Sequence, residues 1–146
     1  MTALAANTPR TFGKTDIERL PVEAATKVYA GSTLQWDESN DGVQPYATGT
    51  ANFAGFAAEK GDNTNGALGD KIIDVHRKGT VILVLSATVA LTNRDDIVYA
   101  QSDDNTFNLT SSGGMPIGKI VRVVTAGTTG ANEVEVYFEA AGFASI

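Results

Sequence analysis

The sequence predicts an all-β protein: a barrel or sandwich with at most one or two short helices and an extended N-terminal arm. Three observations carry this. Thr, Ala, Gly and Val are abundant while Leu, Lys and Glu are scarce. Alanine apart, this leaves few strong helix formers and many β-branched side chains. Short apolar runs recur along the chain, several with a period of two, and clusters of Gly, Asn, Asp and Ser separate them at close spacing. Many short strands divided by turns are the signature of a barrel or sandwich.

Residues 1–22 stand apart. They carry Pro9, Gly13 and Pro21, no sustained apolar period and one net positive charge from Arg10, Lys14 and Arg19 against Asp16 and Glu18. The segment reads either as a frayed tail or as an arm that orders on a partner, with Phe12, Ile17 and Leu20 as its apolar anchors. The prolines bias it toward extended chain. The body then spans 23–146.

Within the body, Thr26–Tyr29, Thr33–Asp37, Val43–Thr48 and Phe53–Glu59 read as strands. The polar loop from Asp37 to Gly42 separates the second from the third. Lys60 to Gly69 reads as a surface excursion. Lys71–Arg77 and Thr80–Ser86 flank Lys78-Gly79, a spacing that predicts a hairpin with a tight glycine turn. Val81-Ile-Leu-Val-Leu85 is continuously apolar and is expected to be buried on both faces. Thr92-Asn-Arg-Asp95 is the one plausible helical start, with Thr92 as cap. It runs at once into Ile97–Tyr99, which looks like strand. Thr106–Thr110, Ile117–Thr125 and Asn132–Glu139 complete the set. The last alternates Val134, Val136 and Phe138 with Glu133, Glu135, Tyr137 and Glu139, as a half-buried strand does.

Composition restricts the function classes. The 146 residues suffice for one domain with a real core. The formal charge is −6, so nucleic acid and anionic membrane surfaces are poor partners. No cysteine is present, which removes disulfides and thiolate chemistry and suits a reducing cytoplasm. No apolar run approaches the ~20 residues of a membrane helix, and Met1 to Arg10 does not read as a secretory signal.

The chemical motifs fail one by one. Gly113-Gly-Met-Pro-Ile-Gly118-Lys119-Ile120 nearly matches a phosphate-cradling loop, but Ile120 has no hydroxyl for magnesium, and a strand rather than a helix follows. Asp37, Ser39, Asp41 and Gly42 imitate the start of a calcium loop, but the twelfth position is Thr48 and the bidentate carboxylate is missing. Asp103-Asp104-Asn105 reads as an acidic turn. His76 is the only histidine, so no two-histidine metal set exists. Asp95 and Asp96 are adjacent and make a poor acid–base pair. Asn108-Leu-Thr110 fits a glycosylation sequon that a cytoplasmic chain leaves unused. No metal, no cofactor and no catalytic residue is assigned, and the chain is expected to bind rather than catalyse. Trp36, Tyr46, Phe53 and Phe56 are expected in the core, with a share of them at a subunit interface as the alternative.

One order of features runs through the body. Ala25-Thr-Lys-Val-Tyr-Ala-Gly31-Ser-Thr-Leu34 is followed by Phe53-Ala-Gly-Phe-Ala-Ala-Glu59. A Gly/Asn/Asp loop leads to Leu68-Gly-Asp-Lys-Ile-Ile-Asp-Val-His-Arg-Lys-Gly-Thr-Val81. Leu91-Thr-Asn-Arg-Asp-Asp-Ile-Val-Tyr99 precedes an acidic turn, and Gly118-Lys-Ile-Val-Arg122 leads to the last strand. Over roughly residues 22–140 this resembles the capsid decoration, or cement, proteins of tailed bacteriophages. The resemblance implies a β-barrel or β-tulip that assembles as a homotrimer at threefold and quasi-threefold positions of the outer capsid. There it clamps neighbouring major capsid subunits after head expansion. It implies the major capsid protein as partner, no nucleic acid, no membrane, and a virion location after synthesis in the host cytoplasm. Phe12, Ile17 and Leu20 are the expected capsid contacts. Trp36, Phe53 and Phe56 are the expected core or trimer residues. Deletion of 1–22 is expected to weaken capsid association. The alternative is a carbohydrate- or receptor-binding β module of a tail fibre, which an exposed aromatic platform would favour. A small hydrolase inside a β-barrel is a further rival and requires carboxylates converging in a cleft.

Overall fold

The computed structural model describes residues 3–124 and 132–140. It is all-β. In chain order the strands are β1 (Phe12–Pro21), β2 (Thr26–Val28), β3 (Thr33–Trp36), β4 (Val43–Pro45), β5 (Phe53–Ala57) and β6 (Gly61–Asn63). They continue with β7 (Ile72–Val84), β8 (Ile97–Ala100), β9 (Phe107–Asn108), β10 (Met115–Val123) and β11 (Glu133–Glu139). A 3-10 turn, Leu91–Asn93, precedes β8. Expectations that fell on Met1, Thr2, Thr125 and 141–146 lie outside the described residues.

One curled sheet runs β4-β3-β5-β7-β11-β10-β8-β9, with β1 added on β7, and β2 pairs separately with β6. The long strand β7 organises everything. His76 pairs with both Ile17 of β1 and Phe56 of β5, so β1 and β5 lie on opposite edges of β7. Further along, Val81 pairs with both Phe12 and Val136, so β11 takes over the edge that β5 leaves. Two local closures curl the sheet. A parallel bridge from Val22 to Val43 joins the end of β1 to β4. A hydrogen bond from Ser86 N to Phe107 O (2.9 Å) brings β9 back to the end of β7.

The curl encloses two cores. The larger gathers Tyr46, Phe53, Phe56, Val81, Leu83, Phe107, Met115, Ile117, Ile120, Val134, Val136 and Phe138. The smaller holds Leu20, Val22, Val28, Leu34, Val43, Ala54, Ala57, Ile73 and Val75. Strand β5 separates them. Its Phe53 and Phe56 enter the larger core and its Ala54 and Ala57 the smaller, so every residue of β5 is buried.

The expected hairpin at Lys78-Gly79 is not formed; β7 runs straight through. Here the chain bulges instead of turning. Asp16 pairs with Lys78 and Ile17 with His76, which leaves Arg77 as an extra residue on β7. A bulge re-aims the side chains that follow it. Val75 therefore faces the smaller core, while Val81, an even number of residues later, faces the larger. Gly79 sits in this kink at φ +145, where a Cβ would run into the backbone carbonyl of Lys14. Glycine in a strand marks a bulge or close approach as readily as a turn.

Three further expectations are corrected. Val81–Leu85 is not buried on both faces: Val81, Leu83 and Leu85 are buried, Ile82 is half-buried and Val84 is 43% exposed. The run is an ordinary one-sided strand whose outer residues are also apolar. The excursion 60–69 contains β6, anchored by Asn63, whose buried amide donates to the carbonyls of Val22, Glu23 and Ala67. At 91–93, Thr92 is not the cap. Asn93 Oδ1 accepts from Ala90 N (2.8 Å), and Asp95 ends the turn in the left-handed region at φ 72. The last strand matches its expectation, with burial alternating residue by residue along Glu133–Glu139.

Candidate functional site: the N-terminal strap and the edge of β1

Residues 3–21 are the part of the chain in which an interaction was expected. In the structure they are laid against the body in two stretches. Residues 12–21 form β1. Residues 3–11 cross the body as a strap held by a series of hydrogen bonds. Leu4 N donates to Asp104 Oδ1 (2.9 Å), Ala30 N donates to Asn7 Oδ1 (3.1 Å) and Thr8 N donates to Ala30 O (2.9 Å).

Arg10 is the latch of the strap. Its Nε donates to Gly31 O (2.6 Å) and its Nη2 to Asn105 Oδ1 (3.0 Å). The guanidinium carbon stands 5.7 Å from the ring centre of Phe56 and 5.1 Å from that of Phe107. Burial lowers the Arg10 pKa to about 10, with the Asp104 carboxylate opposing that shift, so the group stays cationic at neutral pH. The receiving surface is shaped for the strap. Gly31 has φ +90, and a Cβ there would overlap the Thr8 carbonyl oxygen. Asp104 is only 3% exposed and accepts from Leu4 N and from Ser32 Oγ (2.6 Å) while facing Arg10. A buried carboxylate requires such partners.

The six aromatic and aliphatic candidates divide sharply. Ile17 is 55% exposed and Leu20 only 5% exposed, its side chain packed in the smaller core. Phe12 is half-buried, stacked on His76 at 3.8 Å between ring centres and set edge-on to Phe56 and Phe138. Phe53 and Phe56 lie inside the larger core. Trp36 packs on the smaller core, with the Arg77 guanidinium 5.5 Å from its ring centre. In this conformation Leu20, Phe53 and Phe56 have no surface to offer a partner, and Ile17 does. Residues 12–21 are thus a strand of the main sheet, paired along β7.

β1 is also a sheet margin. Its pairing is with β7, and among the described residues no strand occupies its other edge. Lys14, Asp16, Glu18 and Arg19 are exposed along it. Charges on a margin discourage indiscriminate pairing. Glu18 is joined to Arg77 and Arg19 to Asp74 by ion pairs, the latter at 2.9 Å.

The remaining motifs resolve into local structure. Asp37 Oδ1 accepts from Ser39 N and Ser39 Oγ, both at 2.7 Å, and these bonds hold its pKa below the usual carboxylate value. Asp103 Oδ1 closes its turn by accepting from Asn105 N and Thr106 Oγ1. Met115 begins β10 directly after the glycines, so the phosphate-loop likeness has no helix behind it. His76 Nδ1 lies 2.7 Å from Thr15 Oγ1, and burial lowers its pKa from the ordinary imidazole value, with the nearby Asp74 opposing that shift. Among the described residues no group of three or more His, Cys, Asp or Glu is placed to hold a metal ion, and no helix is long and apolar enough to cross a membrane. The large exposed apolar side chains are Ile17, Leu68, Ile72, Val84, Leu91 and Val121, all aliphatic, with no aromatic platform among the described residues.

Sequence reasoning missed Arg10 and Asp104. The only signal was the one charged residue of 3–11 and a doubled aspartate in a distant turn. Nothing local connects positions 94 apart.

The fold and this surface define an all-β body with a margin strand and a strapped N-terminus. No protein-family model matches the chain, and no curated protein matches it.

Proposed function

We propose that this protein is an accessory capsid protein: a non-enzymatic clip that binds the outer surface of an expanded phage head and joins neighbouring major capsid subunits, as a homotrimer. The observation that supports this best is the margin strand β1. It presents ten residues of extended backbone, with Ile17 exposed at its middle and charged residues on either side. An extended segment of a capsid subunit adds to such an edge through backbone hydrogen bonds, and the side chains set the register. Many copies on a symmetric lattice multiply a modest contact, and binding only the expanded lattice stabilises that lattice by mass action. The resemblance in feature order over 22–140 points the same way.

The test is saturable co-sedimentation with undecorated, expanded heads. Deleting 1–22 is a poor probe, because it removes Leu20 and Val22 from the smaller core and unfolds what it is meant to test. Ile17→Glu is the clean one. It is expected to weaken head binding by about tenfold, the loss of one apolar contact of ~1.4 kcal/mol, while changing stability by less than about 0.5 kcal/mol because the site is exposed. Wild-type protein that fails to sediment with expanded heads would sink the reading; unchanged binding by Ile17→Glu would remove β1 from it.

A further inference from the structure

The turn at the end of β6 carries chemistry that the capsid reading does not use. An asparagine side chain reacts with its own backbone when the amide nitrogen of the next residue reaches the side-chain amide carbon. A glycine in that next position hinders the approach least, because it has no Cβ. The sequence holds one Asn-Gly pair, Asn65-Gly66. The fold leaves this pair open and ties down most other asparagines. Asn63 is 3% exposed, and its amide nitrogen donates to three backbone carbonyls. The side-chain oxygens of Asn7, Asn40, Asn93, Asn105 and Asn108 each accept a hydrogen bond, and Asn132 Nδ2 donates to Leu85 O. The Asn52 side chain is not so held, but it precedes Phe53, a bulky residue buried in the larger core. Asn65 is exposed, and among the described residues its side chain has no hydrogen-bond partner.

Local bonds hold this turn on both sides of Asn65. Asp62 Oδ1 accepts from Thr64 N (3.2 Å) and from Thr64 Oγ1 (2.5 Å). Asn63 O accepts from Gly66 N (3.1 Å), which closes the four-residue turn from Asn63 to Gly66. That bond restrains the attacking nitrogen, so attack waits for the turn to open. One hydrogen bond in an exposed turn adds little net free energy, and such turns open far more often than the sheet does.

We propose that Asn65 is a self-modification site of the folded protein. The Gly66 amide nitrogen forms a bond to Asn65 Cγ, the bond from Cγ to Nδ2 breaks, and ammonia leaves with the proton that Gly66 N gave up. Water then opens the succinimide ring at either carbonyl and yields isoaspartate or aspartate. No oxidant, metal or second protein takes part. Isoaspartate lengthens the main chain by one methylene ahead of Gly66, and the seat has no slack for it. A Cβ on Gly66 would run into Asn63 Oδ1, and Gly66 O accepts from Ala25 N (3.1 Å). The product therefore loosens the seam between β2 and β6, where Thr26 pairs with Asn63. The turn is separate from β1, so the modification stands or falls independently of capsid binding.

Peptide mapping of the intact, folded chain after incubation at mildly alkaline pH tests this. Trypsin cuts after Lys60 and Lys71, so peptide 61–71 carries Asn63 and Asn65 together and the buried residue serves as the control. The peptide is expected to gain about 1 Da, with fragment masses placing the change on Asn65 and leaving Asn63 unchanged. An isoaspartate methyltransferase is expected to label the product, and Asn65→Ser to abolish both signals. A synthetic peptide 61–71 incubated alongside sets the clock, and the folded chain is expected to convert within about tenfold of its rate, since one turn hydrogen bond is all that restrains Gly66 N. A folded chain still unchanged after a period about ten times longer than the free peptide needs would overturn the proposal. Conversion only in urea would do the same, as would a mass gain located on Asn63.

Discussion

Phe56→Ala is expected to destabilise the protein by about 3–5 kcal/mol, read as a fall of roughly 10 °C in the thermal midpoint. The ring is fully buried and stands at the meeting point of the aromatic cluster. Its centre is 5.0 Å from that of Phe138, 5.5 Å from Phe53, 6.0 Å from Phe12 and 6.5 Å from Phe107, several of them edge to face. Truncation forfeits the transfer free energy of the ring and leaves a cavity. The walls cannot collapse into it, because β5 is buried on both faces and backs onto the smaller core. The loss also removes a ring on which Arg10 rests, so the strap loosens with the core. Urea denaturation of Phe56→Ala beside Ile17→Glu gives the check. A cost for Phe56→Ala as small as that of the exposed site would mean that the aromatic cluster is not the centre of the larger core.

Asp104→Ala is the second large effect, about 3 kcal/mol. Here the cost is polar. The carboxylate is the common acceptor for Leu4 N and Ser32 Oγ and the counter-charge to Arg10. Its removal leaves a buried hydroxyl and a backbone amide without this acceptor, and a partly desolvated guanidinium without its counter-charge. Arg10→Met in the same background is expected to recover part of the loss, since an apolar side chain of similar length leaves no unpaired charge over Phe56 and Phe107. A double-mutant cycle read by chemical denaturation reports the coupling, and strict additivity of the two changes would contradict the latch.

Much of this fold was legible because its signals are local. Asn132–Glu139 alternates so regularly that strand and buried face both follow from the letters. Short runs such as Thr33–Asp37 and Phe53–Glu59 announce strands through β-branched or aromatic residues between polar turns. What failed were readings that depend on a neighbour far along the chain. Lys78-Gly79 looks like a turn to any local rule. It became a bulge because β1, β5 and β11 compete for the two edges of one strand, and a continuous β7 satisfies all three. Val81–Leu85 suggested burial on both faces, but only one face meets the core, and the other carries Val84 outward. The site was less legible still. Phe12, Ile17 and Leu20 looked equivalent as apolar letters in a polar segment. Pairing with β7 turned Leu20 inward, set Phe12 on His76 and left Ile17 facing solvent. Arg10 and Asp104 gave no local sign of their connection, because a charge latch between chain end and distant turn exists only after folding.

Everything proposed for the N-terminus requires that residues 12–21 be a strand of the free protein, with one edge spent on β7 and the other kept. Hydrogen–deuterium exchange on the isolated wild-type chain tests this directly. Peptides covering 12–21 are expected to show slow-exchanging amides, as peptides from 72–84 do, because the amides facing β7 are released only when that sheet opens. Exchange of 12–21 at the rate of an unstructured chain, beside a protected β7, would show a loose arm where a built-in strand is required.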